Sequence, residues 1–174
     1  LVADNSGILW VADTGNHALR QVAIDGEVST LAGGVAGLID TTYPGVRFQG
    51  LTDLAISGSN GPLIADTANH AIRRVNLAGA SVETVAGDGS TGSLDASGDN
   101  ARFATPRGVG FGTNGVLYVA DRDNHRLRVV TAAGVVTTLT GDQPGSIEGP
   151  TTSARFQDPS DVAVAPNGVI YVAD

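Results

Sequence analysis

The sequence predicts an all-β protein, a β-propeller of four-stranded antiparallel blades with three full blades plus the first two strands of a fourth. Three observations predict it. A twelve-residue phrase recurs as WVADTGNHALRQ (10–21), LIADTANHAIRR (63–74) and YVADRDNHRLRV (118–129), with a shorter YVAD at 171–174. Its aspartates Asp13, Asp66, Asp121 and Asp174 stand 53, 55 and 53 residues apart, the kind of period that marks a radial or stacked array. Between them the apolar runs are short and bounded by glycine turns, and no stretch sustains a 3.6-residue period.

The elements follow in order within each unit, and the third shows them most clearly. Val109–Phe111 is a brief inner strand, and Thr113-Asn114-Gly115 is a turn. Val116–Ala120 is a β-branched and aromatic strand ending at Asp121. The loop Asp121–His125 leads to a third strand, Leu127–Val130. Ala132-Ala133-Gly134 turns the chain, and Val135–Leu139 closes the blade before Gly141. Six residues before each anchoring aspartate stands Gly7, Asn60, Gly115 or Gly168, residue types that tolerate the left-handed backbone of tight hairpins. Glycine-rich loops Gly33–Gly50, Gly87–Thr105 and Gly141–Asp158 join the units and share an ending, Val46-Arg47-Phe48, Ala101-Arg102-Phe103 and Ala154-Arg155-Phe156. Such long crossings carry the chain from an outer strand to the next inner one. The units are therefore placed at about 1–50, 51–105 and 106–158, with a partial unit at 159–174, all in a single segment spanning 1–174.

Composition narrows the function classes. Hydrophobic residues make up 41% of the chain, enough for a core, and 24 glycines suit many turns. The net charge is −8 and all ten basic residues are arginine. An acidic surface repels phosphate backbones, so nucleic acid is not expected as a partner. Without cysteine there is no disulfide, thiolate metal site or cysteine nucleophile. No apolar run is long enough to span a membrane, and no membrane partner is expected. No GxSxG elbow, phosphate loop or zinc spacing appears. The opening at Leu1, the lack of methionine and the end at YVAD read as a piece of a longer protein.

The phrase VADxxNHxxR, with ARFxxP upstream and V-x-T-(L/V)-x-G downstream, resembles the NHL-repeat family, and the resemblance covers essentially the whole chain. It implies a propeller, usually six-bladed, used mostly as a rigid binding platform for proteins or peptides, with a small polar ligand as a further option. It favours an extracytoplasmic or secreted location, which the residues themselves do not assign. Related propellers include lactonase-like hydrolases and amidating lyases, so fold alone does not decide function. The remaining blades are expected from sequence beyond these residues rather than from self-association, because the chain begins and ends with an inner strand pair.

Recurrence separates structural residues from candidate sites, since a catalytic group is needed once and a structural one in every unit. Asp13, Asn16 and His17, with Asp66, Asn69 and His70 and with Asp121, Asn124 and His125, have ligand-type side chains but recur in each unit. They are read as a structural motif in which aspartate closes an Asx-type turn and accepts a hydrogen bond from histidine. Arg20, Arg73 and Arg128, and Arg47, Arg102 and Arg155, are expected to tie neighbouring blades. Phe48, Phe103 and Phe156 are expected to plug the core, as are Trp10, Tyr118 and Tyr171 on their strands. The residues that break the repeat are Arg107, Arg122, Asp123 and Arg126. They read either as a recognition patch for an acidic peptide or carboxylated ligand, or as solvated loop charges. Asp53 and Asp161 occupy equivalent positions at an inner strand, where a metal-dependent propeller hydrolase or lyase would hold a divalent ion; Gly108 replaces the acid between them. The Asp88–Asp99 stretch, rich in Asp, Ser and Gly, is weighed as a calcium loop, although its carboxylates lack the alternating spacing of one. No other cofactor is expected and no catalytic residue is assigned.

Overall fold

The structure is a computed structural model that describes residues 1–58, 61–113 and 115–174. It consists of antiparallel sheets whose strands follow chain order, save for one short strand added to the outer edge of the second. The first blade is β1 (Val2–Ala3), β2 (Leu9–Asp13), β3 (Ala18–Val22) and β4 (Val28–Gly33). A short β5 (Thr41–Thr42) precedes the second blade, which is β6 (Leu51–Ala55), β7 (Leu63–Asp66), β8 (Ala71–Asn76) and β9 (Ser81–Ala86). The third holds β10 (Pro106–Phe111), β11 (Leu117–Asp121), β12 (Arg126–Val130) and β13 (Val136–Thr140). A last hairpin pairs β14 (Asp161–Val164) with β15 (Ile170–Ala173). Among the described residues no helix is long and apolar enough to cross a membrane.

The hairpin turns are made as the glycine positions predict. Gly7, Gly115 and Gly168 have φ of 86°, 77° and 84°, and Asn60 and Asn114 lie outside the described residues. The glycine after each fourth strand has a second reason to be glycine. A Cβ on Gly33, Gly87 or Gly141 would stand 2.3, 2.4 or 2.2 Å from the carbonyl oxygen of His17, His70 or His125.

The core lies between blades rather than within them. Alternate residues of a strand face opposite sides of its sheet, and the second blade buries both. Ile64, Val75 and Val82 face the first blade, where they meet Trp10, Leu19 and Phe48. Leu63, Ala65 and Ile72 face the third, where they meet Val109, Val119, Val130 and Phe103. Every residue of β7 is consequently buried.

The joining loops cross from outer to inner strand and also pair on the way. β5 pairs antiparallel with the outer strand β9, Thr41 opposite Val82 and Thr42 opposite Ser81. Before the third blade, Val136 N–H donates to Ala96 O and Gly98 N–H to Gly134 O. Each of these loops therefore runs down the outer edge of the next blade and satisfies backbone groups that an edge strand otherwise leaves open. The entries to the inner strands are irregular too, with register shifts between Leu51 and Asp53 and between Pro106 and Val109. Such bulges re-aim side chains, and residues of both line one cleft.

Candidate functional site

The repeated motif is consumed in holding blades together. Each loop ends on two successive amides that are shared between neighbouring blades. Gln49 N–H donates to Asp66 Oδ1 (2.7 Å) in the blade ahead, and Gly50 N–H to His17 Nδ1 (3.1 Å) in the blade behind. Ala104 and Thr105 do the same with Asp121 (2.8 Å) and His70 (3.1 Å). Gln157 and Asp158 repeat it with Asp174 (2.6 Å) and His125 (3.2 Å). The histidines close one-turn 3₁₀ helices in the left-handed conformation, at φ of 52°, 50° and 55°. An Nδ1 that accepts places the neutral ring's proton on Nε2.

The expected hydrogen bond from histidine to the motif aspartate is therefore corrected. The aspartate accepts instead from asparagine and arginine. Asp66 Oδ2 takes Asn69 Nδ2 and Arg73 Nη1, both at 2.8 Å, and Asp121 Oδ2 takes Asn124 Nδ2 (2.7 Å) and Arg128 Nη1 (2.6 Å). Burial pushes both carboxyls up from their ordinary value, against the lowering effect of these donors. Asp13 differs in degree: its side chain is 25% exposed, and hydrogen bonds from Asn16 and Arg20 hold its carboxyl below the usual range.

Arg73 and Arg128 bridge carboxylates and loop carbonyls. Arg73 donates to Ile39 O (3.0 Å), Arg47 O (3.2 Å) and Asp40, and lies 5.2 Å over the ring of Phe48. Arg128 does likewise with Leu94 O (3.2 Å), Arg102 O (3.0 Å), Asp95 (2.6 Å) and Phe103. Sequence reasoning missed the structural role of Asp40 and Asp95. The signal was present, because they stand 55 residues apart, the same interval as Asp66 and Asp121.

That finding corrects the calcium loop. Asp95 is committed to Arg128 and Thr138, and Asp88 pairs with Arg102 at 2.8 Å. Among the described residues no three acidic or histidine side chains gather as a metal site.

Three of the four repeat-breaking charges are paired with neighbours. Arg122 pairs with Asp123 (2.9 Å) and approaches Asp158 (3.9 Å), and Arg126 pairs with Asp142 (2.7 Å). Arg122 also replaces a tie. In the earlier blades Thr14 Oγ1 donates to Leu51 O (2.6 Å) and Thr67 Oγ1 to Pro106 O (2.8 Å), each reaching the next inner strand.

Arg107 lies in a cleft of about 620 Å³ lined also by Thr14, Thr52, Asp53, Gly108, Ser160 and Asp161. The bulged entries of β6 and β10 and the start of β14 converge there. Arg107 is exposed and makes no ion pair among the described residues. Gly108 is required by closeness: a Cβ there would lie 2.4 Å from Asp161 Cα. Asp53 and Asp161 thus do share a cleft, but they fit a metal poorly. Asp53 Oδ2 accepts Val109 N–H (2.9 Å), Asp161 Oδ1 accepts Val162 N–H (2.8 Å), and a guanidinium shares the space. Burial raises the Asp53 carboxyl from its ordinary value, and the charge of Asp161 adds to the rise.

The sheets, their chain order and the ties between them define a segment of a β-propeller. A model of the NHL repeat matches residues 103–130 and 156–174. Human NHL repeat-containing protein 2 is 32% identical over 130 residues, covering 68% of this chain and 18% of that protein. The bovine protein is 29% identical, covering 96% of this chain and 27% of its own length. Among solved structures, an auxiliary nutrient binding protein from Bacteroides thetaiotaomicron superposes with a TM-score of 0.79 at 21% identity, over 98% of this chain and 43% of that one. A streptogramin B lyase superposes with a TM-score of 0.66 at 12% identity, over 99% and 60%. The chain belongs to the NHL-repeat family, and it spans only about a quarter or less of the first relatives' length.

Proposed function

We propose that this segment is part of a non-enzymatic binding propeller whose axial cleft receives a protein, a peptide or a small polar ligand through an anionic group. The observation that carries the reading is the contrast between spent and available charge. The motif aspartates, histidines and third-strand arginines are tied into the blades, whereas Arg107 is exposed in a cleft edged by the hydroxyls of Thr14, Thr52 and Ser160. A guanidinium offers five donors in a fork that suits carboxylate. Asp53 and Asp161 beside it select against polyanions and favour a ligand with a single acidic group or a neighbouring ammonium. The net charge of −8 also argues against nucleic acid.

Titration calorimetry with short peptides bearing one acidic side chain and with small monocarboxylates tests this, comparing the wild type with Arg107→Ala and Arg122→Ala. Losing a charge-assisted hydrogen bond weakens binding by about tenfold or more. Arg107→Ala is expected to show that loss and Arg122→Ala none. Equal affinity in wild type and Arg107→Ala refutes the reading. Lactone hydrolysis abolished by Asp53→Asn replaces it with an enzymatic one.

A further inference from the structure

On the opposite rim, between the second and third blades, lies a second pocket, of about 500 Å³. Its floor is Leu63 and Val130, buried to 7% and 1% exposure, and its walls include Phe111, Ser57, Gly61 and Arg74. That volume lies within the range of small-molecule sites, and the lining is mixed, with Leu63, Phe111 and Val130 facing Arg74, Asn76 and Glu83.

The second unit departs from the others at two positions that border this pocket. Trp10, Leu63, Tyr118 and Tyr171 occupy one site in the repeat, in matching register: Trp10 pairs Val2 and Gln21, Leu63 pairs Ala55 and Arg74, and Tyr118 pairs Gly110 and Val129. Three units have an aromatic ring there and the second has leucine. Two residues before it stand Ile8, Gly61, Val116 and Val169, so the second unit has glycine where the others have a branched side chain. Asp4 is particular to the first unit, its counterparts being Ser57, Gly112 and Ala165.

The first interface shows what that arrangement holds when it is filled. Trp10 lies 1% exposed against the second blade, and its indole N–H donates to Asp4 Oδ2 at 3.1 Å. At the second interface the ring and the branched neighbour are both reduced, and Ile56 is matched by Phe111, whose ring borders the space. Aromatic pairs gain energy beyond area burial when stacked or edge-on. Arg74 is held at the rim by Glu83 (3.0 Å) and Ala132 O (3.1 Å).

We propose that this interblade pocket is a binding site for a free small molecule that carries a planar aromatic group of about indole size. Such a ring takes, between the second and third blades, the place that Trp10 takes between the first and second. The site is independent of the axial cleft.

Indole itself is the probe, followed by amide shift mapping on the labelled chain. Nine heavy atoms at ordinary ligand efficiency give a dissociation constant of about 0.1–1 mM. Shifts are expected around Leu63, Phe111 and Val130. Leu63→Trp fills the space from within and is expected to weaken binding by at least about tenfold, since its own ring competes for the site. Arg107→Ala is expected to bind indole as the wild type does. Should tryptophan at 63 unfold the chain, Phe111→Leu removes the aromatic wall at similar volume and is expected to lower affinity several-fold. The proposal is overturned by any of three results: no shifts at about 10 mM indole, shifts that map elsewhere, or unchanged affinity in the folded variant.

Discussion

Asp66→Ala tests the idea that the same motif residue has different worth according to its burial. Asp66 is fully buried, holds Arg73 at 2.8 Å and accepts Gln49 N–H at 2.7 Å. Its loss leaves a buried guanidinium with only the 43% exposed Asp40 as counter-charge, and it strands the Gln49 amide. Breaking one side of a buried pair costs about 3–5 kcal/mol, and the amide of Gln49, an exposed residue, adds at most about 1 kcal/mol. The two overlap, because both describe the same carboxylate, so a total of about 4 kcal/mol is expected. For a chain of this length that lowers Tm by about 8–16 °C. Urea unfolding followed by circular dichroism reads the change, with the slope checked for constancy. Asp13→Ala is the control. It removes the same motif residue from a site where the pair is 33% and 25% exposed, and a much smaller loss is expected. A loss at Asp66 below about 1 kcal/mol, or equal losses at both positions, refutes the reasoning.

Three further outcomes are expected. His70→Ala leaves Thr105 N–H without its acceptor and is expected to lower stability by about 1–3 kcal/mol in the same urea assay, with strand content unchanged at low denaturant. Gly141→Ala sets a Cβ 2.2 Å from His125 O at a φ of +86°. A loss above about 2 kcal/mol is expected, and wild-type stability would contradict the packing described. Asp53→Asn concerns pH. Its carboxyl is raised by burial and by Asp161, so the ionised form costs stability above the folded value and the cost fades as pH falls through it. The variant is therefore expected to melt higher than the wild type at pH 7, with the gap closing in acid; a gap that widens in acid contradicts this sign.

Much of the fold was legible because propeller blades repeat. The spacing of Asp13, Asp66, Asp121 and Asp174 located the strands, and Gly7, Gly115 and Gly168 located the turns, since both rest on local backbone chemistry. The outer-edge pairing of Thr41–Thr42 was not legible. Its hydrogen bonds run to Ser81 and Val82, about 40 residues away, and polar threonines carry no periodic signal. The histidine's role was misread for a related reason: its partner is a backbone amide, which has no sequence signature. The axial cleft was half legible. Repeat alignment equated Asp53 with Asp161, but only the packing of neighbouring inner strands puts Arg107 in the same cleft, where departure from the repeat had grouped it with Arg122, Asp123 and Arg126.

The division of each loop's last two amides between an aspartate ahead and a histidine behind has an evolutionary consequence. Both halves of the clamp are encoded in one unit, which contributes a histidine to its successor and an aspartate to its own entry. Tandem duplication of such a unit reproduces a complete joint on either side, with no compensating change elsewhere. The chain can thus gain or lose a blade by a single recombination event, and its stability accrues joint by joint, as in a one-dimensional array of nearest neighbours. Divergence is then free to act on positions outside the clamp, and Leu63 and Arg107 are two such positions.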